Sequence, residues 1–130
     1  MRKLEKFEEF LSSGIVRRQS KDKERASSLI LEAEEKYNFF KSVKEKMGVE
    51  NLNSNYIVET SYDILIELLR AKLFNDGFKT DSHEAEVSYM RNLNFSENDI
   101  IFMNDLRYYR NGIKYYGKRF DKIYAEKVLS

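Results

Sequence analysis

The sequence predicts an all-α fold, an up-and-down bundle of four to five helices, and three observations lead there. None of its 130 residues is proline, which long helices tolerate poorly and loop-rich domains use freely. Apolar residues recur at three-to-four-residue intervals over long stretches, the period of a helix with one buried face. These stretches are separated by short polar breaks built on Gly, Ser and Asn.

Taken in order, the first dozen residues predict one short helix closed by the Ser12-Ser13-Gly14 break. From about Asp22 to Met47, Ala26, Leu29, Ile30, Ala33, Tyr37, Phe40, Val43 and Met47 mark an amphipathic helix that stops near Gly48. A second begins near Ser54 and carries Ile57, Ser61, Ile64, Leu65, Leu68, Leu69 and Leu73 to Gly77; its wide apolar face makes it the expected central helix. Asp81-Ser82-His83-Glu84 has the character of a capping box and opens a shorter helix through Val87, Met90 and Leu93. Ser96-Glu97-Asn98-Asp99 caps the last helix, expected to run unbroken from about Glu97 to near Val128. The chain is read as one domain, with about 1–19 as an N-terminal extension or short helix and about 20–130 as the bundle.

Composition narrows the function. A hydrophobic fraction of 42%, with nine Tyr and nine Phe, can close a core despite 35% charged residues. Without cysteine there is no disulfide framework and no thiolate site, and the charged N-terminus reads as neither a secretory signal nor a membrane span. A cytoplasmic protein without membrane attachment is expected. Net charge is +1, so any polyanion site must be a local patch. No metal and no cofactor is expected: no His/Cys cluster exists, and Glu32, Glu34 and Glu35 belong on a solvated face.

The last helix carries the strongest signal. Its core stripe runs Met103, Leu106, Arg110, Ile113, Gly117, Phe120 and Tyr124, which sets an arginine among apolar residues. A guanidinium there needs a carboxylate, backbone carbonyls, an anionic ligand or a subunit interface. Asp63 and Glu67 are the candidate partners, unless Glu67 forms a surface pair with Arg70. Gly112 and Gly117 each cost about 1 kcal/mol against alanine in a helix interior, which suits close approach of another group. The bland alternative is an arginine snorkelling from the stripe's edge and glycines that fit a helix crossing. Lys114, Lys118, Arg119, Lys122 and Lys127 make this end basic, and Tyr108, Tyr109, Tyr115, Tyr116 and Tyr124 offer flat surfaces, a combination suited to phosphates and unstacked bases. A second basic run, Arg17, Arg18, Lys21, Lys23 and Arg25, reads as a solvated turn. His83, the only histidine, reads as a cap or turn residue.

From about Arg25 to about Lys118 the chain resembles the HEPN family of small helical domains. The likeness rests on Arg25-Ala26 and Glu32-Ala33-Glu34, on Ser61-Tyr62-Asp63-Ile64-Leu65-Ile66-Glu67-Leu68-Leu69-Arg70-Ala71-Lys72-Leu73, on Gly77-Phe78-Lys79-Thr80, and on Arg107-Tyr108-Tyr109-Arg110-Asn111-Gly112-Ile113-Lys114-Tyr115. The resemblance implies a helical bundle that dimerises, and a ribonuclease toxin or the partner of a small nucleotidyltransferase in a toxin-antitoxin-like system. Its active motif is an Arg, often followed by a polar residue, with a His about five positions on. Arg110 and Asn111 match; Tyr115 stands where the His belongs, and Gly117 where the partnered branch carries a modified Tyr. A neutral phenol is a poor general base at pH 7. The expectation is therefore a homodimeric RNA- or nucleotide-binding protein, leaning away from an enzyme, with Arg110, Asn111, Lys114, Tyr115, Tyr116 and Lys118 as ligand contacts. The alternatives are a divergent metal-independent ribonuclease using Arg110 and Tyr115, and a non-catalytic structural or dimerisation module.

Overall fold

The computed structural model describes residues 3–49, 54–116 and 122–129, with the side chains of 114–116 outside the description. Its described elements are α1 (Phe7–Ser12), β1 (Arg17–Arg18), α2 (Lys23–Met47), α3 (Ser54–Asp76), β2 (Phe78–Lys79), α4 (His83–Ser88), a 3₁₀ segment (Tyr89–Leu93), α5 (Glu97–Tyr116) and α6 (Lys122–Leu129). The protein is an all-α bundle, as its periodicity requires, with one minimal antiparallel ribbon that sequence reading did not foresee.

Local signals set most boundaries. Asp22 accepts a hydrogen bond from the Arg25 N–H and caps α2, which ends at Gly48 with φ of 68°. The capping-box segment works through Ser82, whose hydroxyl accepts from the Ala85 N–H; His83 is the first helical residue and not the cap. Gly77, with φ of 88°, lets the chain leave α3 while the 17–22 segment lies against it: Gln19 N–H donates to the Gly77 carbonyl and Asp22 N–H to that of Phe74. A Cβ at Gly77 would stand 2.9 Å from the Gln19 carbonyl oxygen, closer than any side chain is found.

The central position of α3 follows from its wide apolar face. On one side it packs antiparallel to α2, with Ala26 against Ala71 and Phe74 at one end and Phe40 against Ile57 at the other. On another side, Val58, Tyr62, Ile66 and Leu69 form the main core with Val87 of α4 and with Ile100, Met103 and Leu106 of α5. Because α2 packs mainly on α3, with α6 meeting only its 33–40 stretch, only its Ala26, Ala33 and Phe40 are buried; Ile30, Tyr37 and Met47 of the expected stripe stay exposed. Burial at about 25 cal/mol per Å² makes such contacts the main stabilisation of helices that are marginal alone.

The expected single last helix is described as two, α5 and α6, with Gly117, Lys118, Arg119, Phe120 and Asp121 outside the described residues. The rings of Tyr109 and Tyr124 lie 5.2 Å apart. Fifteen residues of straight helix would separate them by about 22 Å, so α6 folds back toward α5. There it buries Ala125 among Phe40, Ile57 and Ile64. Among the described residues no helix is long and apolar enough to cross a membrane.

Candidate functional site

The residues Asp63, Ile66, Glu67 and Arg70 follow the three-to-four spacing of one helical face, so α3 presents them together. Across from them α2 presents Leu29, Glu32 and Lys36, again one face, and the space between is closed by His83 from the first turn of α4 and Arg110 from α5. The result is a groove of about 340 Å³ whose lining is mostly polar.

Its charges are arranged in pairs. Lys36 Nζ lies 2.9 Å from Glu67 and 3.3 Å from Glu32, and the Glu67 bond above all holds the lysine above its ordinary value. Arg70 grips Glu86 through two bonds of 2.7 and 3.1 Å. Glu86 has no exposed surface, and burial pushes its carboxyl up against the opposing pull of Arg70. Arg110 Nη2 donates to Asp63 Oδ1 at 3.3 Å, a single long contact, and the guanidinium carbon stands 5.6 Å from the Tyr62 ring centroid. Of the two carboxylates considered for Arg110, the structure selects Asp63; Glu67 goes to Lys36, and the surface pair of Glu67 with Arg70 does not form. Arg110 therefore neither snorkels nor lies sealed in a core: with its side chain 12% exposed, it lines the groove and commits one of five guanidinium donors to Asp63.

Tyr62 organises the other end. Its ring is wholly buried, and its hydroxyl meets His83 Nδ1 at 2.9 Å. Burial, reinforced by the Glu86 charge, pushes the phenol up, so it keeps its proton. We assign the phenol as donor and Nδ1 as acceptor, the tautomer that leaves no buried hydroxyl hydrogen without a partner. The Nε2 of neutral His83 then carries the hydrogen. His83 is held below its ordinary value by burial first and then by the charges of Arg70 and Arg110, with Asp63 opposing. At neutral pH it is a hydrogen-bond donor within a groove that also holds Arg110.

Sequence reading missed this histidine because its partner lies 21 positions away and the local signal was that of a helix start. It also missed Tyr62 and Lys36, and placed Arg70 only as a surface partner of Glu67; the shared α3 face of 63, 66, 67 and 70 could have suggested Arg70 as a site residue. Of the anticipated contacts, Arg110 lines the groove and Asn111 is half-buried beside it in sequence. Lys114, Tyr115 and Tyr116 lie on α5, but their side chains, like all of Lys118, fall outside the described residues. Where these basic residues are described, Arg107 Nε donates to the uncharged Asn104 amide and Lys122 stands 3.9 Å from Glu126. Among the described residues no group of His, Asp and Glu could hold a metal ion.

A second depression, about 360 Å³ and almost wholly apolar, lies on the other flank of α3, floored by Leu69, Met90 and Met103 and walled by Leu65, Leu68 and Phe95. It presents no acid, base or nucleophile pair at its floor, and the polar groove is the chemically equipped one. The chain matches no family model, no curated protein and no solved structure.

Proposed function

We propose that the polar groove binds a phosphate-bearing ligand, an RNA or nucleotide, with Arg110 as the ionic anchor and the His83 Nε2–H as a second donor. The observation that carries this reading is the meeting of Arg110 and His83 in one groove from α5 and α4, with Tyr62 between them. A guanidinium offers phosphate two parallel bonds, and the single 3.3 Å bond to Asp63 leaves most of its donors for phosphate oxygens. The groove's other cations are engaged by Glu67, Glu32 and Glu86, so binding depends on Arg110 rather than on a diffuse positive field.

The protonation pattern favours binding over cleavage. A general base on RNA needs an unprotonated ring nitrogen toward the substrate, whereas Tyr62 occupies Nδ1 and leaves a hydrogen on Nε2. The HEPN likeness adds a homodimer, and a small nucleotidyltransferase as partner, to the same reading. The test is Arg110→Gln, which removes the charge and keeps a polar, hydrogen-bonding side chain. Affinity for a labelled oligoribonucleotide or for uridine monophosphate should fall at least about tenfold, as expected for a lost charge-assisted contact, with the melting curve little changed. Unaltered affinity for both ligands would sink the proposal, and metal-free RNA cleavage abolished by His83→Gln would replace it with a ribonuclease.

A further inference from the structure

The ribbon of β1 and β2 places Arg17 directly opposite Lys79, and Arg18 opposite Phe78. Like charges facing each other across an antiparallel pair repel, and the ribbon holds against that cost through the Gln19–Gly77 and Thr80–Ile15 hydrogen bonds and the packing of Phe78 on Phe7 and Tyr89. Arg17, Arg18 and Lys79 are all exposed, and Lys21 extends the row as the segment continues along the end of α3. Among the described residues none of these four cations makes an ion pair, unlike Lys36, Arg70 and Arg110 in the groove. Three carboxylates stand nearby without forming an ion pair with these cations: Asp22 accepts the Arg25 N–H as the cap of α2, Asp81 shares the open hollow of Arg17, and Asp76 feels the Lys21 charge while bonded to Tyr89 and Lys72.

The ribbon is also joined to the groove. Lys79 precedes His83 by four positions, and the intervening turn is rigid: Thr80 donates its hydroxyl to the Ile15 carbonyl and accepts from the Ser82 N–H. The open hollow beside Arg17 reaches Ser82, the residue before His83 of the groove.

We infer that the ribbon is a second phosphate-contact site, and that the ligand of the groove is a single-stranded polynucleotide, not a mononucleotide. One phosphate sits at Arg110 and His83, and the strand's neighbouring phosphates run over Arg17, Arg18, Lys21 and Lys79. This rests on the groove reading for the first contact, while the ribbon contacts stand on their own geometry. The ribbon offers charge without an exposed ring, because the Arg18 guanidinium already covers Phe78 at 5.4 Å. Its contribution is thus to backbone affinity and is indifferent to base sequence.

The test compares the full chain with the double variant Arg17→Gln and Lys79→Gln, using a labelled oligoribonucleotide of about a dozen nucleotides and uridine monophosphate. The wild type should bind the oligonucleotide at least about tenfold tighter than the monophosphate, since each added phosphate contact contributes. The double variant should lose about tenfold for the oligonucleotide and nothing for the monophosphate. The salt slope of its affinity should drop by about 1.4, from about 0.7 per neutralised phosphate on a single strand. Replacement by Arg17→Lys should keep the wild-type slope. An oligonucleotide bound no tighter than the monophosphate, or an unchanged slope in the double variant, overturns the inference. If Arg110→Gln weakens binding while the ribbon variant does not, the groove reading survives and the ribbon falls; the reverse pattern keeps the ribbon and removes the groove. No binding of either ligand by the wild type removes both.

Discussion

Two depressions of nearly equal size, about 340 and 360 Å³, flank the same helix and are built from opposite chemistry. On one side of α3, Asp63, Glu67 and Arg70 face Lys36, His83 and Arg110, and every described charge has a partner. On the other side Leu65, Leu68 and Leu69 face Phe102 and Met103 of α5, with Lys72 and Asp99 as the only charged members. The difference teaches how a small domain affords polar side chains near its core. Each groove cation is held by a carboxylate from another helix or another turn, so orientation is prepaid by packing and a ligand meets donors already in place. The apolar depression has no such constraint, and its exposed leucines contribute mainly local packing.

Three substitutions break or sharpen that contrast. The largest effect is expected from Arg70→Met, which strands the Glu86 carboxylate in a site without solvent exposure; unfolding free energy measured with denaturant should fall by about 3 kcal/mol. Burial already raises Glu86, and the stranded carboxyl rises further. It takes up a proton as pH falls, so the loss should shrink from about pH 7 to about pH 5. A loss that grows on acidification would show that the pair is not what organises this wall.

A smaller effect concerns His83, whose folded-state value lies below 6.5. Below that pH the unfolded chain binds a proton that the native histidine refuses, so wild-type stability should fall as pH drops from about 7 toward 5. His83→Gln should flatten that fall, and an identical profile in both proteins would contradict the assigned neutral imidazole. The smallest effect belongs to the apolar side. Leu68 is 40% exposed, so Leu68→Gln should change the unfolding free energy by no more than about 0.5 kcal/mol and leave RNA affinity unchanged.

Much of the fold was legible because the information is local. The start of α2 near Asp22, the start of α3 near Ser54, the break at Gly77 and the cap segment before α4 follow from a few neighbouring residues and a 3.6-residue period. The unbroken last helix failed for the same reason: the pattern through Gly117, Phe120 and Tyr124 continues smoothly in sequence, while Tyr124 and Ala125 gain more by folding back onto Tyr109 and α3. Strands of two residues carry no period to read, so β1 passed as a solvated turn. Of the site, Arg110 was legible as an anomaly in its stripe, and Asp63 as one of two possible partners. The His83 contact was not, since nothing near His83 points to Tyr62.

What the sequence determined by itself is therefore the helical identity of the chain and the position of its one misplaced arginine, because propensity, capping and burial period act within a few residues. Only the tertiary structure decided the partners: Asp63 rather than Glu67 for Arg110, Glu86 for Arg70, and a groove shared by residues from 29 to 110. A charged side chain chooses its partner by distance and desolvation, and both depend on how helices far apart in sequence pack together.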